Sequence, residues 1–198
     1  KMLLDTRVRT KKDIEDAVSI PFLGEIPWGK KKKGTDLLEQ ENGIIQESIR
    51  VLRTNMNFML KRKDSAQVIT FSSFVENSGK TFIAIGLAKS MKLINKRVLL
   101  VDLDIRKGSM SRYFHFHGSG MTNYLSDETI SVDEIIHKDQ KGNNPDIICA
   151  GHVAPNPAEL LMSHRLDEII KKKKSRYDYI IIDNVPIGFI ADASITNR

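Results

Sequence analysis

Four short apolar runs limit how this chain can fold: Val68–Ser72, Lys96–Asp104, Pro145–Gly151 and Tyr177–Pro186. The centres of these runs, such as Leu99-Leu100-Val101 and Ile180-Ile181-Ile182, place no polar residue at alternate positions. A strand wetted on one face alternates apolar and polar side chains, so runs of this kind read as strands buried on both faces. Helical patterns lie between them, over Gly79–Leu93 and over a long Pro157–Lys174 with proline near its start. Strands alternating with helices predict an α/β fold, a mostly parallel sheet covered by helices on both faces. Functional residues in such sheets gather at the carboxyl ends of the strands.

The first third reads differently. Thr10 or Asp13 is placed to cap a short helix through Ala17, and Ser19–Gly29, punctuated by prolines, is consistent with a short edge strand. Lys30–Thr35 reads as a loop. From about Asn42 to Met59, Ile45, Ile49, Leu52, Met56 and Met59 recur at three- and four-residue spacing, the mark of an amphipathic helix. A polar break at Lys63-Asp64-Ser65 then separates an N-terminal extension, residues 1–66, from a core at 67–198. A chain of 198 residues can bury a substantial core. The single cysteine, Cys149, excludes an internal disulfide and reads as a buried thiol. The net charge of +6 is concentrated in Lys30–Lys33 and Lys171–Lys174. Both runs read as solvated faces rather than a nucleic-acid surface, the second because cations at a helix end complement its dipole; acidic lipid is an alternative for the first. No apolar run approaches membrane-spanning length and no signal peptide is present. Both termini read as cut ends of a longer chain.

Three strand ends carry the chemistry. The first opens into a loop ending in Gly79-Lys80-Thr81, the close of the phosphate-binding pattern G-x-x-x-x-G-K-[ST], although Phe74 stands where its first glycine belongs. Backbone N–H groups from Glu76, Asn77, Ser78 and Gly79 through Phe82 are placed to surround phosphates at the start of a helix. Lys80 would set its ammonium between the β- and γ-phosphates, and Thr81 would offer a hydroxyl to Mg²⁺. The third strand ends in Asp183, which would orient the water shell of the metal. Taken alone, Lys80 could be a surface lysine at a helix start and Asp183 a helix cap. The second strand ends in Asp102-Leu103-Asp104 followed by Arg106. Two carboxylates on the same side of an extended chain suit a metal and a proton acceptor. His115 and His117 read as a surface pair, with no third ligand at metal-binding spacing.

The ensemble resembles the bacterial tyrosine kinases of capsule and exopolysaccharide synthesis, the Wzc-like family, which are relatives of the MinD/ParA ATPases in the P-loop NTPase class. The resemblance rests on the Gly79-Lys80-Thr81 loop, on Asp102, Asp104 and Arg106 as a D-x-D-x-R motif, and on "ESIRVLRTNMNFML" with Glu47, Arg50 and Arg53. "APNPAELL" at Ala154–Leu161 and "YDYIIIDNVPIGFIADA", ending near Asp192, add to it. It implies an ATP- and Mg²⁺-dependent tyrosine autokinase domain. Lys80 and Thr81 would bind phosphates and metal, and Asp104 and Asp183 would support the metal. Asp102 would position the tyrosine hydroxyl, while Arg106 would stabilise phosphate charge or form a structural salt bridge. It also implies a homo-oligomeric ring built through Glu47, Arg50 and Arg53, whose plainer reading is a solvated helix face with an internal Glu–Arg pair. In that ring the tyrosine-rich tail of one subunit reaches the next. A transmembrane activator segment would lie upstream of Lys1, and the domain would sit on the cytoplasmic face of the bacterial inner membrane.

Three features depart from the family pattern. Glu76 and Asn77 replace a glycine and, often, a proline. Asn184-Val185 replaces Thr-Pro. The chain ends soon after Asp192, with no tyrosine cluster among Tyr113, Tyr124, Tyr177 and Tyr179. Asn77 tolerates left-handed backbone angles and can stand in for glycine, whereas the Glu76 carboxylate must turn away from the phosphates. The alternative reading is a catalytically weak, nucleotide-responsive scaffold ATPase of the MinD/ParA type. Against it, Val75 stands where such ATPases carry a second lysine.

Overall fold

The structure, a computed structural model, describes residues 8–29, 38, 43–60, 65–139, 142 and 144–186. The Lys30–Lys33 run, the Lys63-Asp64 break and Asp192 lie outside the described residues. The chain divides into two compact units, Lys1–Met59 and Leu60–Arg198.

In the first unit, helix α1 spans Lys11–Ala17. Thr10 and Asp13 both act at its start: the Thr10 hydroxyl accepts from the Asp13 N–H at 3.3 Å, and the Asp13 carboxylate accepts from the Thr10 N–H at 2.8 Å. This capping box satisfies donors that the first turn leaves without helical partners. Residues 18–29 do not form the expected edge strand. Pro21 and Pro27 have no N–H to give a ladder, and no strand pairs with the segment among the described residues. It is held instead by the Asn55 side-chain amide, which donates to the Leu23 carbonyl at 2.9 Å. Helix α2 spans Ile44–Met59 and buries Ile45, Ile49, Leu52 and Met56. Met59, the last of the expected apolar stripe, is exposed at the helix end. Glu47 and Arg50 pair at 3.0 Å on the exposed side of α2, one turn apart.

The second unit is built on a four-stranded parallel sheet. Its strands are β1 Gln67–Phe71, β2 Val98–Asp102, β3 Asp146–Ile148 and β4 Tyr179–Asp183, in spatial order β1-β4-β2-β3. Every residue of β2 is buried, and β4 is buried from Ile180 onward. β1 departs from the expectation: its residues alternate between half-buried and exposed, because it forms an edge of the described sheet and has a partner on one side only.

Helix α3, Lys80–Lys92, packs on β1, β2 and β4 through a face that includes Ala84, Leu87, Ala88 and Met91. The short helix α4, Ser109–Tyr113, packs against α3. The main core cluster joins Leu99 and Val101 of β2 and Ile180 and Ile182 of β4 to helices α5, Met121–Ser126, α6, Pro157–Leu161, and α7, Arg165–Lys173. These strand residues lie side by side in register, Leu99 opposite Ile180 and Val101 opposite Ile182, so one sheet face presents a continuous apolar surface.

The long helix expected over Pro157–Lys174 is two helices, α6 and α7, separated at Met162–His164. Met162 N–H closes the first by bonding back to the Ala158 and Glu159 carbonyls, and the Ser163 hydroxyl accepts from the Arg165 N–H at 3.3 Å to start the second. Nor is the Lys171–Lys174 run wholly solvated. Lys173 is 2% exposed and its ammonium meets the Asp133 carboxylate at 2.6 Å, a contact that Arg176 shares.

α5 is docked on the end of β3 by its own backbone: Met121 N–H and Thr122 N–H donate to the Cys149 and Ala150 carbonyls at 2.8 and 2.9 Å. Gly120, just before α5, makes this approach possible, since a Cβ there would fall 2.3 Å from the Cys149 carbonyl oxygen and 2.5 Å from the Gly151 nitrogen. The obstruction is backbone and cannot rotate away. Gly120→Ala is therefore expected to destabilise the second unit by about 2–4 kcal/mol, at or above the usual range for overpacking. Urea unfolding followed by tryptophan-independent far-UV dichroism measures this; an unchanged midpoint would show that the close approach is not retained.

Candidate functional site

The register of three adjacent strands brings the site together. Phe71 at the end of β1 lies opposite Asp183 at the end of β4, and Asp183 lies opposite Asp102 at the end of β2. Past the strand ends the ladder continues, with Leu103 N–H donating to the Asp183 carbonyl at 2.9 Å and Asn184 N–H to the Phe71 carbonyl at 3.0 Å. The loop from β1 to α3 then passes over these ends.

That loop is shaped by two residues with positive φ, Asn77 at 57° and Gly79 at 90°. Asn77 thus takes the left-handed conformation for which its residue type is suited, in a position where glycine would otherwise be expected. Gly79 caps α3, whose N-terminal N–H groups open toward a cavity of about 300 Å³. The cavity wall includes Glu76, Asn77, Ser78, Gly79, Lys80, Thr81 and Phe82, together with Asp104. Arg106 is exposed and is not on that wall. Lys107, Ser109, Ser73 and Pro186 are on it, although none stood out in the sequence.

Inside, Lys80 forms an ion pair with Asp183 across 103 residues of sequence. Asp102 and Asp183 are fully enclosed, Asp104 is 6% exposed and Lys80 9%. Three carboxylates thus face one buried ammonium. Burial pushes the Asp102 carboxyl well above the usual carboxylate range, and repulsion from Asp183 and Asp104 adds to it. Burial also raises Asp183, while the charge and hydrogen bond of Lys80 pull it the other way.

Asp102 and Asp104 do not converge as equals. β2 ends at Asp102, after which the chain turns, with the Asp104 carbonyl accepting from the Lys107 and Gly108 N–H groups at 3.2 and 3.0 Å. Strand alternation therefore stops short of Asp104. The Asp102 carboxylate accepts from the Asp104 N–H at 3.0 Å and stays sealed, while Asp104 reaches the cavity wall.

Glu76 does not leave the cavity wall as expected; its carboxylate forms an ion pair there with Lys107, in the turn after β2. Nothing in the sequence singled out Lys107 as its partner. Asn184-Val185 is compensated in a similar way. A proline at 185 would have no N–H, whereas Val185 has one, and the Asn184 side-chain oxygen accepts it at 2.8 Å. Cys149 is buried as expected, and burial pushes its thiol up to about 12, which keeps it protonated and inert.

The cavity suits a polyphosphate with a divalent cation. Asp104 lies on its wall, and beneath it one carboxylate oxygen of Asp183, the partner of Lys80, is buried without a hydrogen-bond partner, a costly state that a nearby cation or its bound water relieves. No trio of His, Cys, Asp or Glu among the described residues forms a complete metal cage. Mg²⁺ does not require one, since it keeps several waters and draws further oxygens from phosphates. No helix among the described residues is long and apolar enough to cross a membrane.

Comparison with known proteins accords with this architecture. Residues 66–196 match the profile of the AAA domain family. The tyrosine-protein kinase wzc of Salmonella typhi is 38% identical over 174 residues, which is 85% of this chain and 24% of that protein. The chain thus spans about a quarter of the length of this curated relative. The kinase domain of the Escherichia coli tyrosine kinase ETK superposes with a TM-score of 0.84 at 26% identity, covering 96% of this chain and 77% of that one. The septum site-determining protein MinD of Pyrococcus horikoshii, solved with Mg-ADP, shares the fold, with a TM-score of 0.57 at 24% identity over 66% of this chain and 53% of that one. The expected α/β P-loop fold and the resemblance to bacterial tyrosine kinases are both borne out.

A raised carboxyl gives a signed prediction. The native state holds the Asp102 proton more tightly than the unfolded chain, so this residue favours folding below about pH 4 and loses that contribution as pH rises through its native value. Asn at 102 keeps the acceptor for the Asp104 N–H and cannot ionise. Asp102→Asn is expected to melt a few degrees higher than the parent at pH 7, with the difference shrinking toward pH 4. Calorimetry at both pH values measures it; a difference that grows in acid would reverse the assignment.

Proposed function

The chain belongs to the AAA domain family, and on that footing we propose that it is the ATP-dependent catalytic domain of a bacterial protein-tyrosine autokinase. The observation that carries this reading is the Lys80–Asp183 pair at the phosphate loop beside a second acidic strand end, Asp102 to Asp104, of which Asp104 shares the cavity wall with Lys80. Its relatives' names supply the acceptor: they are tyrosine-protein kinases.

In the proposed reaction the γ-phosphoryl group moves from ATP to a tyrosine oxygen, which loses its proton, and ADP leaves. The N–H groups at the start of α3 hold phosphate oxygens, and Lys80 leaves Asp183 to meet negative charge on the β- and γ-phosphates. Thr81, Asp104 and Asp183 would hold Mg²⁺, which neutralises polyphosphate charge when bound. Asp104, on the cavity wall, is better placed than Asp102 to orient the incoming hydroxyl. Asp102 acts through the backbone of Asp104, fixing that turn from beneath. Most of the catalysis is then positioning and charge stabilisation.

The wider reading follows the resemblance. Residues 1–66 serve as an extension and 67–198 as the kinase core. Glu47, Arg50 and Arg53 on α2 join subunits into a ring, each offering a tyrosine-rich tail to its neighbour. The domain works on the cytoplasmic face of the inner membrane, under a transmembrane activator, in capsular or exopolysaccharide synthesis. The exposed Glu47–Arg50 pair supports this reading in that it leaves charged groups available at an accessible surface.

Tyr124 and Tyr177 are buried and hydrogen-bonded, to the Arg165 carbonyl and the Asp146 carboxylate, so an added acceptor is the appropriate probe. With ATP, Mg²⁺ and a Glu/Tyr copolymer, phosphotyrosine is expected by mass spectrometry, falling at least about 10²-fold in Lys80→Met. Phosphotyrosine that persists in Lys80→Met, or ATP binding with no transfer at all, would overturn the kinase assignment; the second result would favour a scaffold ATPase.

A further inference from the structure

The cavity holds a second lysine–carboxylate pair that the proposed reaction does not use. Glu76 comes from the phosphate loop and Lys107 from the turn after β2, and both line the cavity with Gly79, Lys80 and Thr81. Their side chains are equally and partly exposed, at 35% each, so neither is locked in the core. The arrangement repeats the one beneath it. Lys80 is held by Asp183 as Lys107 is held by Glu76, and each pair joins a phosphate-loop residue to a neighbouring strand or turn.

Two physical facts decide what the upper pair does. A carboxylate on the wall of a phosphate site repels a polyphosphate unless a cation covers it. A lysine ammonium has three rotatable donors on a flexible stem, so it can change anionic partners without rebuilding its surroundings. A triphosphate carries more charge than one carboxylate and competes for Lys107. We propose, building on the nucleotide-site reading above, that Lys107 is a second phosphate-contacting cation, which exchanges Glu76 for a phosphate oxygen when a nucleoside polyphosphate enters. Glu76 is then an internal competitor that lowers affinity for polyphosphate. The pair ties the phosphate loop to the turn that carries Asp104; on binding, the ligand takes over that link.

The test is calorimetric binding of ATP and AMP, each with Mg²⁺, to the whole chain and to Glu76→Gln, Lys107→Gln, the double variant and Lys80→Met. Charged hydrogen bonds of this type are worth roughly ten- to a hundredfold in affinity. Lys107→Gln is expected to weaken ATP about tenfold or more and to change AMP much less. Glu76→Gln is expected to tighten ATP several-fold, and that gain disappears in the double variant, since it depends on a freed Lys107. Lys107→Arg restores part of the affinity. Thermal melting of each variant without ligand confirms folding.

Unchanged ATP affinity in Lys107→Gln, equal losses for ATP and AMP, or a Glu76→Gln gain that survives in the double variant would overturn the proposal. A loss in Lys80→Met alone would leave the nucleotide site standing without this role for Lys107. A parent chain that binds neither nucleotide would remove both.

Discussion

The register between β1, β4 and β2 is the constraint from which the site follows. Phe71, Asp183 and Asp102 end level on three neighbouring strands, so the phosphate loop and two acidic strand ends open at the same height. The Lys80–Asp183 pair then fastens the first turn of α3 to β4. A one-residue slip of β4 would exchange its two faces, moving Ile180 and Ile182 out of the core cluster and turning Asp183 away from Lys80. Core packing and site geometry thus depend on the same strand register.

The site concentrates carboxyl groups in a place without solvent to spread their charge. Asp102, Asp104 and Asp183 are buried together with a single buried lysine among them, and two of their oxygens lack partners. Such an arrangement is poor for stability and good for binding. An entering cation or phosphate would meet groups already oriented, with the opening of the Lys80–Asp183 pair as the main rearrangement. The Glu76–Lys107 pair places a second ammonium on the wall of the same cavity.

Much of this was legible in the sequence. Doubly apolar runs marked β2 and β4 because burial on both faces leaves no polar alternation. The glycine-lysine-threonine step marked the start of α3 because the chain must turn sharply there, as the φ of 90° at Gly79 shows. What was not legible depended on contacts distant in sequence. Lys107 looks like any basic residue after a strand, and its meaning comes from Glu76, 31 residues away. Lys173 sat in a lysine run that reads as solvated, yet Asp133, 40 residues earlier, brings it inside. Alternation placed Asp102 and Asp104 on one side, and a turn begun at Asp104 placed them in different environments. Prolines at 21 and 27 were compatible with an edge strand, but an edge also needs a neighbour to pair with.

In the proposed mechanism Lys80 and Asp183 serve each other until polyphosphate and metal arrive, and then serve those instead. Thermal melting of the whole chain measures this directly, with Mg²⁺ alone, with a non-hydrolysable ATP analogue alone, and with both. Ligands that bind only the native state raise its stability in proportion to RT ln(1 + [L]/Kd), so independent sites give additive shifts. The shift with both together is expected to be clearly larger than the sum of the separate shifts, because freeing Lys80 for phosphate also frees Asp183 for the cation. Simple additivity, or full stabilisation by the analogue with Mg²⁺ removed by chelation, would contradict it.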